Sequence, residues 1–350
     1  MRIMLLYYLY EDAGSAQDVH YFVRAAKELG HEIVVYGPPD PKSPFPWSLD
    51  VASADAVVFI FEWTQMMRHG DKLDVARILG HVPRNRRLVI DCDGALNARI
   101  QVRGDYNHKS DEESEAWIRH AECLSDKLFQ PSFRPRRPNV KTYFFHGYSP
   151  EWEQPLDLDK RELGMAYVGH SKFRWGPMER VLSAVEKIRG DVGRLAIVGH
   201  GWDVMPEWAP QMQMESAYYT DKEMLKRLGV EIVPPIPYKE VIGWMSKAVF
   251  NPVIYRPLFE ELGFVTCRTF ETPAAGTIPL FGLGSEYVKE IFGPGAERLV
   301  LPEHEPEAKL LDMMKNPLEY AEIIHGVRAH MREHHGYEAR VKELVRLIEA

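Results

Sequence analysis

The chain has 350 residues, more than one hydrophobic core usually organises, so two domains of roughly 150 to 200 residues are expected. Hydrophobic residues make up 45%, aromatics 11% and charged residues 27%, which excludes a disordered or collagen-like polymer. Lys and Arg number 43 against 51 Asp and Glu; the net charge of −8 excludes a sequence-independent grip on nucleic acid over the whole surface and leaves room for a local basic cleft. Three widely spaced cysteines, Cys92, Cys123 and Cys267, suggest neither a disulfide framework nor paired zinc ligands, so a reducing, cytoplasmic setting is expected.

The apolar start runs only from Met1 to about Tyr10 before Glu11 and Asp12, too short for a signal peptide or a membrane span, and reads as a first buried strand. A helical pattern follows, with Val19, Phe22, Val23, Ala26 and Leu29 on one face, and Gly30 stops it. Residues 31–37 form a second strand, so a strand, a loop, a helix and a strand succeed one another as in a parallel βαβ unit. Ala56 to Phe61, Leu88 to Cys92, Lys127 to Gln130 and Val140 to Phe145 bring the expected strands of this half to six. From Pro150 to Pro155, and in polar residues as far as Arg161, the pattern lapses into a linker.

The pattern restarts with a strand at 166–169, a helix from Pro177 to Arg189 with Val181, Leu182, Val185 and Ile188 inward, and a strand at 195–198. Val230 to Val233, Ala248 to Asn251, Thr277 to Phe281 and Arg298 to Leu301 again make about six strands. Pro317 to Ala350 is almost wholly helical. The reading is therefore α/β, with two doubly wound Rossmann-like domains, residues 1–155 and 156–330, facing across a cleft. A terminal helix, 331–350, crosses back toward the first domain. Ligands in such folds sit at the carboxyl ends of the strands, which makes the cleft the expected site.

The most informative stretch is Gly263 to Leu280. A helix starting near Thr266 and Cys267 would aim its free N–H groups at a loop, favouring a diphosphate, and Gly276 would end it. Glu271, in the second turn, would accept hydrogen bonds from two vicinal ribose hydroxyls. In this stretch Arg268, Phe270, Glu271, Ala274, Gly276, Pro279 and Leu280 form an Arg-x-Phe-Glu-x-x-Ala-x-Gly-x-x-Pro-Leu pattern. That pattern resembles the donor domain of two-domain, GT-B type glycosyltransferases, most closely the spore-maturation-protein-like branch. The turn Tyr167-Val168-Gly169-His170-Ser171 and the closing Tyr337-x-x-Arg340-Val341 extend the resemblance over about residues 160 to 350. It implies a nucleoside diphosphate sugar on the second domain, with Glu271 on the ribose. Where the large retaining branch carries a second glutamate this chain has Gly263, with Glu260 and Glu261 off register, so no retaining mechanism is carried over.

Lys172 and Arg174, beside His170 and Ser171 in a loop before Pro177, are placed to neutralise a leaving diphosphate in place of a metal. Solvated loop cations are the alternative. Gly199-His200-Gly201 permits close backbone approach to a ligand or makes a plain turn. Ile236 and Pro237 would lie under the base by the resemblance, or pack a stiff loop.

On the acceptor side, His20 near the first helix start is a candidate base, and inverting relatives use a histidine there. Glu62, Asp91 and Asp93 end strands at the ligand edge and are the alternatives. Asp91-x-Asp93 also resembles the metal-binding Asp-x-Asp of single-domain, GT-A type glycosyltransferases; the donor pattern in the other half favours a metal-free reading, and no metal or other cofactor is expected. These residues read together as a glycosyltransferase using a nucleotide-sugar donor and an unidentified acceptor hydroxyl. A nucleotide-sugar epimerase or hydrolase, or a non-catalytic binding protein, are the competing readings.

Overall fold

The structure, a computed structural model, describes residues 1–7, 14–39, 45–61, 74–97, 101–102, 105–106 and 111–350. The chain divides into two compact units, the first comprising residues 1–147, 261–267 and 335–350, the second 148–260 and 268–334. The chain therefore changes unit four times, twice around residues 261–267.

In the first unit the strands are β1 (Arg2–Leu6), β2 (Glu32–Tyr36), β3 (Trp47–Ser48), β4 (Ala56–Phe61), β5 (Arg87–Asp91), a short antiparallel pair β6 (Gln101–Val102) and β7 (Asp105–Tyr106), β8 (Lys127–Gln130) and β9 (Val140–Thr142). Among the described residues seven of them form a parallel sheet in the order β3-β2-β1-β4-β5-β8-β9. The central strands β1, β4 and β5 are apolar runs buried on both faces, as a covered parallel sheet requires. Helices α1 (Gly14–Glu28), α2 (Val75–His81) and α3 (Asp111–Leu124) lie between strands in sequence. The six expected strands are present; β3, only two residues long, is below the reach of periodicity. Residues 8–10, which the sequence reading added to β1, lie outside the described residues.

The second unit holds β10 (Leu163–Val168), β11 (Leu195–Val198), β12 (Val230–Val233), β13 (Ala248–Val253) and β14 (Ile278–Phe281), parallel in the order β12-β11-β10-β13-β14. Its helices are α4 (Trp175–Lys187), α5 (Lys222–Arg227), α6 (Val241–Met245), α7 (Pro257–Leu262), α8 (Cys267–Ala274), α9 (Ser285–Phe292), α10 (Pro306–Lys315) and α11 (Pro317–His334). Arg298 to Leu301 is not the sixth strand expected. It is a 3-10 turn over Ala296–Leu299 followed by a single parallel bridge from Val300 to Phe281. Gly295, at φ 91°, starts that turn, and Pro302 directly after Leu301 lacks the N–H a ladder needs.

Residues 150–161 are bound into the second unit rather than hanging as a free linker. Gln154 N–H donates to the Ala274 carbonyl at 2.8 Å, and the Arg328 guanidinium donates to the Pro273, Ala274 and Gln154 carbonyls. The end of α8 requires glycine: Gly276 has φ 68°, and a Cβ there would lie 2.6 Å from the Pro155 carbonyl.

The terminal helix α12 (Tyr337–Glu349) follows a break at His335–Gly336 and packs on α1 within the first unit. Tyr337 stacks on Tyr21 with centroids 4.9 Å apart, and Lys127 Nζ donates to the Leu347 and Ile348 carbonyls at the helix end. Among the described residues no helix is long and apolar enough to cross a membrane.

Candidate functional site

In the second unit β10 leads outward to β11 and β12 on one side, while β13 and β14 lie on the other, so the strand order reverses between β10 and β13. A crevice at the carboxyl ends of these two strands is where such sheets bind ligands. The residues that emerge there are Gly169 to Arg174 after β10 and Ile254 to Arg256 after β13.

The loop after β10 is held tightly by its neighbour. Gly199 has φ 142° and a Cβ there would sit 2.3 Å from the Gly169 carbonyl; Ser171, fully buried, donates its N–H to the His200 carbonyl at 2.9 Å. Gly199 thus serves the close approach of two protein backbones. Phe173 lies in the left-handed region at φ 56°, an uncommon conformation for a non-glycine residue, and it turns the chain between Lys172 and Arg174.

Four expected residues, His170, Lys172, Arg174 and His200, come together with a fifth, Arg256. Arg174 Nη1 lies 2.9 Å from His170 Nδ1, and Arg174 occupies the position directly before α4 without a side-chain capping bond. His170 is held well below the usual histidine pKa, first by desolvation among the packed loops and then by Arg174, Lys172, Arg256 and His200. Its ring is solvent-exposed, so the cationic neighbours Arg174, Lys172 and Arg256 are the firmer cause. Neutral His170 accepts from Arg174, and the concentrated positive charge suits an anion. The sequence reading missed Arg256, although it shares the grammar of Arg174: a cation after a strand's carboxyl end and directly before a helix start.

A group whose charged form is disfavoured in the fold costs stability as pH falls through its unfolded pKa. Thermal midpoints should therefore drop from pH 7 toward pH 5, and His170→Gln should flatten that slope. His120 and His330, also lowered chiefly by burial, act in the same direction and preserve part of it. Identical slopes in the two proteins would contradict this charge assignment.

Glu271 is fully buried in α8, and its Oε2 lies 2.9 Å from Arg268 Nη1, which in turn approaches Met245 Sδ at 2.9 Å. Thr266 and Cys267, half-buried, belong with the first unit, and Arg268 and Glu271 with the second. Gly263 has φ 59°, and its carbonyl accepts the Phe133 N–H at 3.1 Å while Val265 N–H donates to Pro131 at 2.7 Å. The position that carries glutamate in retaining relatives is here a left-handed turn that docks this segment on the end of β8. Ile236 packs against Val168, Val198 and Met245, and Pro237 is exposed before a 3-10 turn.

On the first unit His20 is exposed on α1, edge-on to Tyr21. Asp91, fully buried at the end of β5, accepts from the N–H groups of Asp93, Ala95 and Leu96 and from Gln130 Nε2, at 2.7 to 3.2 Å. Such a carboxylate builds a turn, and the turn presents half-buried Asp93. Glu62 lies outside the described residues. Unforeseen is a buried cluster at Asp18: its carboxylate faces His146 Nδ1 at 2.8 Å and accepts from Tyr337 Oη at 2.7 Å and Gly147 N–H at 3.3 Å. Arg340 donates to the His146 carbonyl at 3.1 Å, so the Tyr337-x-x-Arg340 motif grips residues 146–147. Among the described residues no group of three or more His, Cys, Asp or Glu has the geometry to hold a metal ion.

A cavity of about 230 Å³ in the second unit, lined by Leu163, Gly164, Val249 and Ile278 among others, opens at the opposite, amino-terminal edge of the strands. It is separate from the cationic crevice.

Residues 174–346 match the family model described as glycosyl transferase-like. No curated protein matches the sequence. Among solved structures, an alpha-glucosyltransferase in complex with UDP aligns at a TM-score of 0.63 and 12% identity, covering 100% of this chain and 99% of that one. An alpha-glucosyltransferase in complex with UDP-glucose and DNA containing an abasic site aligns at 0.61 and 12%, covering 100% and 99%. The T4 phage beta-glucosyltransferase in complex with UDP and Mn2+ aligns at 0.57 and 12%, covering all of both chains. The fold is thus the GT-B fold. The family model matched is the broader glycosyl transferase-like one, not specifically the spore-maturation-protein-like branch.

Proposed function

We propose that this chain, a GT-B-fold protein whose residues 174–346 match the glycosyl transferase-like family model, transfers a sugar from a UDP-sugar to an acceptor hydroxyl without a metal ion. The observation that carries the reading is the contact of Arg174 with His170, a ring also under the charge of Lys172 and Arg256, at the switch point of the second unit's sheet, in the unit whose helix α8 bears Glu271. Glu271 accepts hydrogen bonds from the ribose hydroxyls. The cations hold the diphosphate and stabilise its growing charge as the bond to the anomeric carbon breaks. Exposed His20, or Asp93 on the turn that Asp91 fixes, takes the acceptor proton.

The test is a thermal-shift series with UDP, other nucleoside diphosphates and UDP-sugars, with and without EDTA. Binding to the native state raises the midpoint by mass action. UDP should raise it equally with and without EDTA. Lys172→Ala, Arg174→Ala and Arg256→Ala should each weaken UDP about tenfold, the loss expected for one charge-assisted contact, and increasingly less at high salt. A shift abolished by EDTA overturns the metal-free part; no shift with any nucleotide overturns the donor site. Product analysis with a UDP-sugar then separates transfer from hydrolysis or epimerisation.

A further inference from the structure

Between β11 and α5 the chain makes a detour, residues 201–221, that contains only two 3-10 turns, Pro210–Met212 and Ser216–Tyr218. It is not a loose loop. Ala209, Met214, Ala217 and Tyr218 form a small core with Phe173 and Met205, Trp202 is fully buried with its Nε1 donating to the Gly169 carbonyl at 2.7 Å, and Thr220 Oγ1 donates to the Trp202 carbonyl. Phe173 N–H donates to the Ala217 carbonyl at 2.6 Å. The lobe is thereby fastened to the residue between Lys172 and Arg174, beside the cationic crevice.

This rigid lobe nevertheless exposes apolar side chains. Of the five large hydrophobic residues exposed among the described ones, three lie here: Val204 at 67%, Trp208 at 43% and Tyr219 at 57%. Trp208 meets Tyr218 edge-on at 5.5 Å and Tyr219 meets Trp175 edge-on at 6.3 Å, contacts that hold the rings while leaving surface open. Around them Asp203, Glu207, Gln211, Gln213, Glu215 and Ser216 are exposed, and residues 202–220 contain no Lys, Arg or His. Aromatic faces rimmed by carboxylates and amides suit a ligand with an apolar C–H face and a belt of hydroxyl donors. The charged side chains of the lobe itself are all carboxylates, which disfavours a phosphodiester chain on it.

We infer that the 202–219 lobe is an acceptor platform for a neutral pyranose glycan, with Trp208 and Tyr219 as its stacking residues. This rests on the transferase reading above, and it distinguishes the acceptor from the DNA present in one of the structurally similar complexes.

The experiment is saturation-transfer NMR on the full chain with maltohexaose, cellohexaose, chitohexaose and a short DNA duplex, alongside the UDP thermal shift. Wild type should give saturation transfer to a hexasaccharide and none to DNA. Trp208→Leu, which keeps apolar bulk for the lobe's core and lacks an aromatic face, and Tyr219→Ala should each weaken saccharide binding at least about tenfold, with the UDP shift intact and Trp208→Tyr restoring most of the binding. A UDP shift with no response to any hexasaccharide overturns the platform and leaves the donor reading standing. Saccharide binding unchanged in both variants, or DNA binding lost in Trp208→Leu, also overturns it. Saccharide binding that needs Trp208 in a protein that ignores every nucleotide supports the platform and overturns the donor reading.

Discussion

Replacing Glu271 with glutamine is expected to weaken UDP binding about 100-fold and to lower kcat/KM by at least as much, because two hydrogen bonds from ribose hydroxyls to a carboxylate together carry roughly 3 kcal/mol. Glutamine preserves the volume of a fully buried side chain in α8 and offers one acceptor where the carboxylate offers two. The substitution also removes the partner of Arg268, whose guanidinium lies 2.9 Å from Oε2, so part of the effect is structural. Arg268→Met separates the two contributions. If Glu271 serves only its ion pair, the two variants lose the same thermal stability and bind UDP equally well; on the donor reading UDP affinity falls much further in Glu271→Gln. Titration calorimetry with UDP reads the difference directly.

The second large effect concerns the terminal helix. Arg340 is almost fully buried, donates to the His146 carbonyl, lies 2.7 Å from His335 Nδ1 and stands over the Phe144 ring at 5.3 Å. Burial lowers its pKa, the cost of holding a cation there, and Tyr143, Glu343, Tyr337 and Asp18 oppose that shift. Arg340→Met leaves the His146 carbonyl and the His335 ring without this donor, and should destabilise the first unit by about 2–5 kcal/mol, a fall of roughly 5–15 °C in its midpoint. Arg340→Lys should fall between, since an ammonium cannot span both partners from the same position. Calorimetry is the right measurement because two compact units need not unfold together. An unchanged midpoint would show that Arg340 only decorates the helix.

Both predictions start from residues whose types and spacing stand out in the chain, Glu271 in the Arg268-to-Leu280 pattern and Arg340 in the closing Tyr-x-x-Arg-Val. What Arg340 does there was not legible, because two of its partners, the His146 carbonyl and the Phe144 ring, lie nearly 200 residues upstream. The same limit applies to Asp91. As part of an Asp-x-Asp at a strand end it reads as base or turn former, with a metal ligand disfavoured by the donor pattern in the other half; four donors converge on its carboxylate, one of them from Gln130, and build a turn. His20 stands out in sequence as a histidine near a helix start, whereas the histidine that a carboxylate holds is His146, paired with Asp18 from another part of the first unit.

The strands and their parallel order follow from local properties. Runs such as Ala56 to Phe61 and Leu195 to Val198 are apolar on both faces and separated by helix-length segments, and no other arrangement buries them as well. The donor helix is local too, bounded by the sequence around Thr266 and by Gly276. Tertiary structure alone assigns residues 261–267 to the first unit, folds the 202–219 detour into a lobe with its own core, and sets Arg256 beside His170. Periodicity is repeated along the chain and survives in a single sequence. A hydrogen bond or ion pair between distant residues is one event, made by the fold and leaving no pattern behind it in the chain.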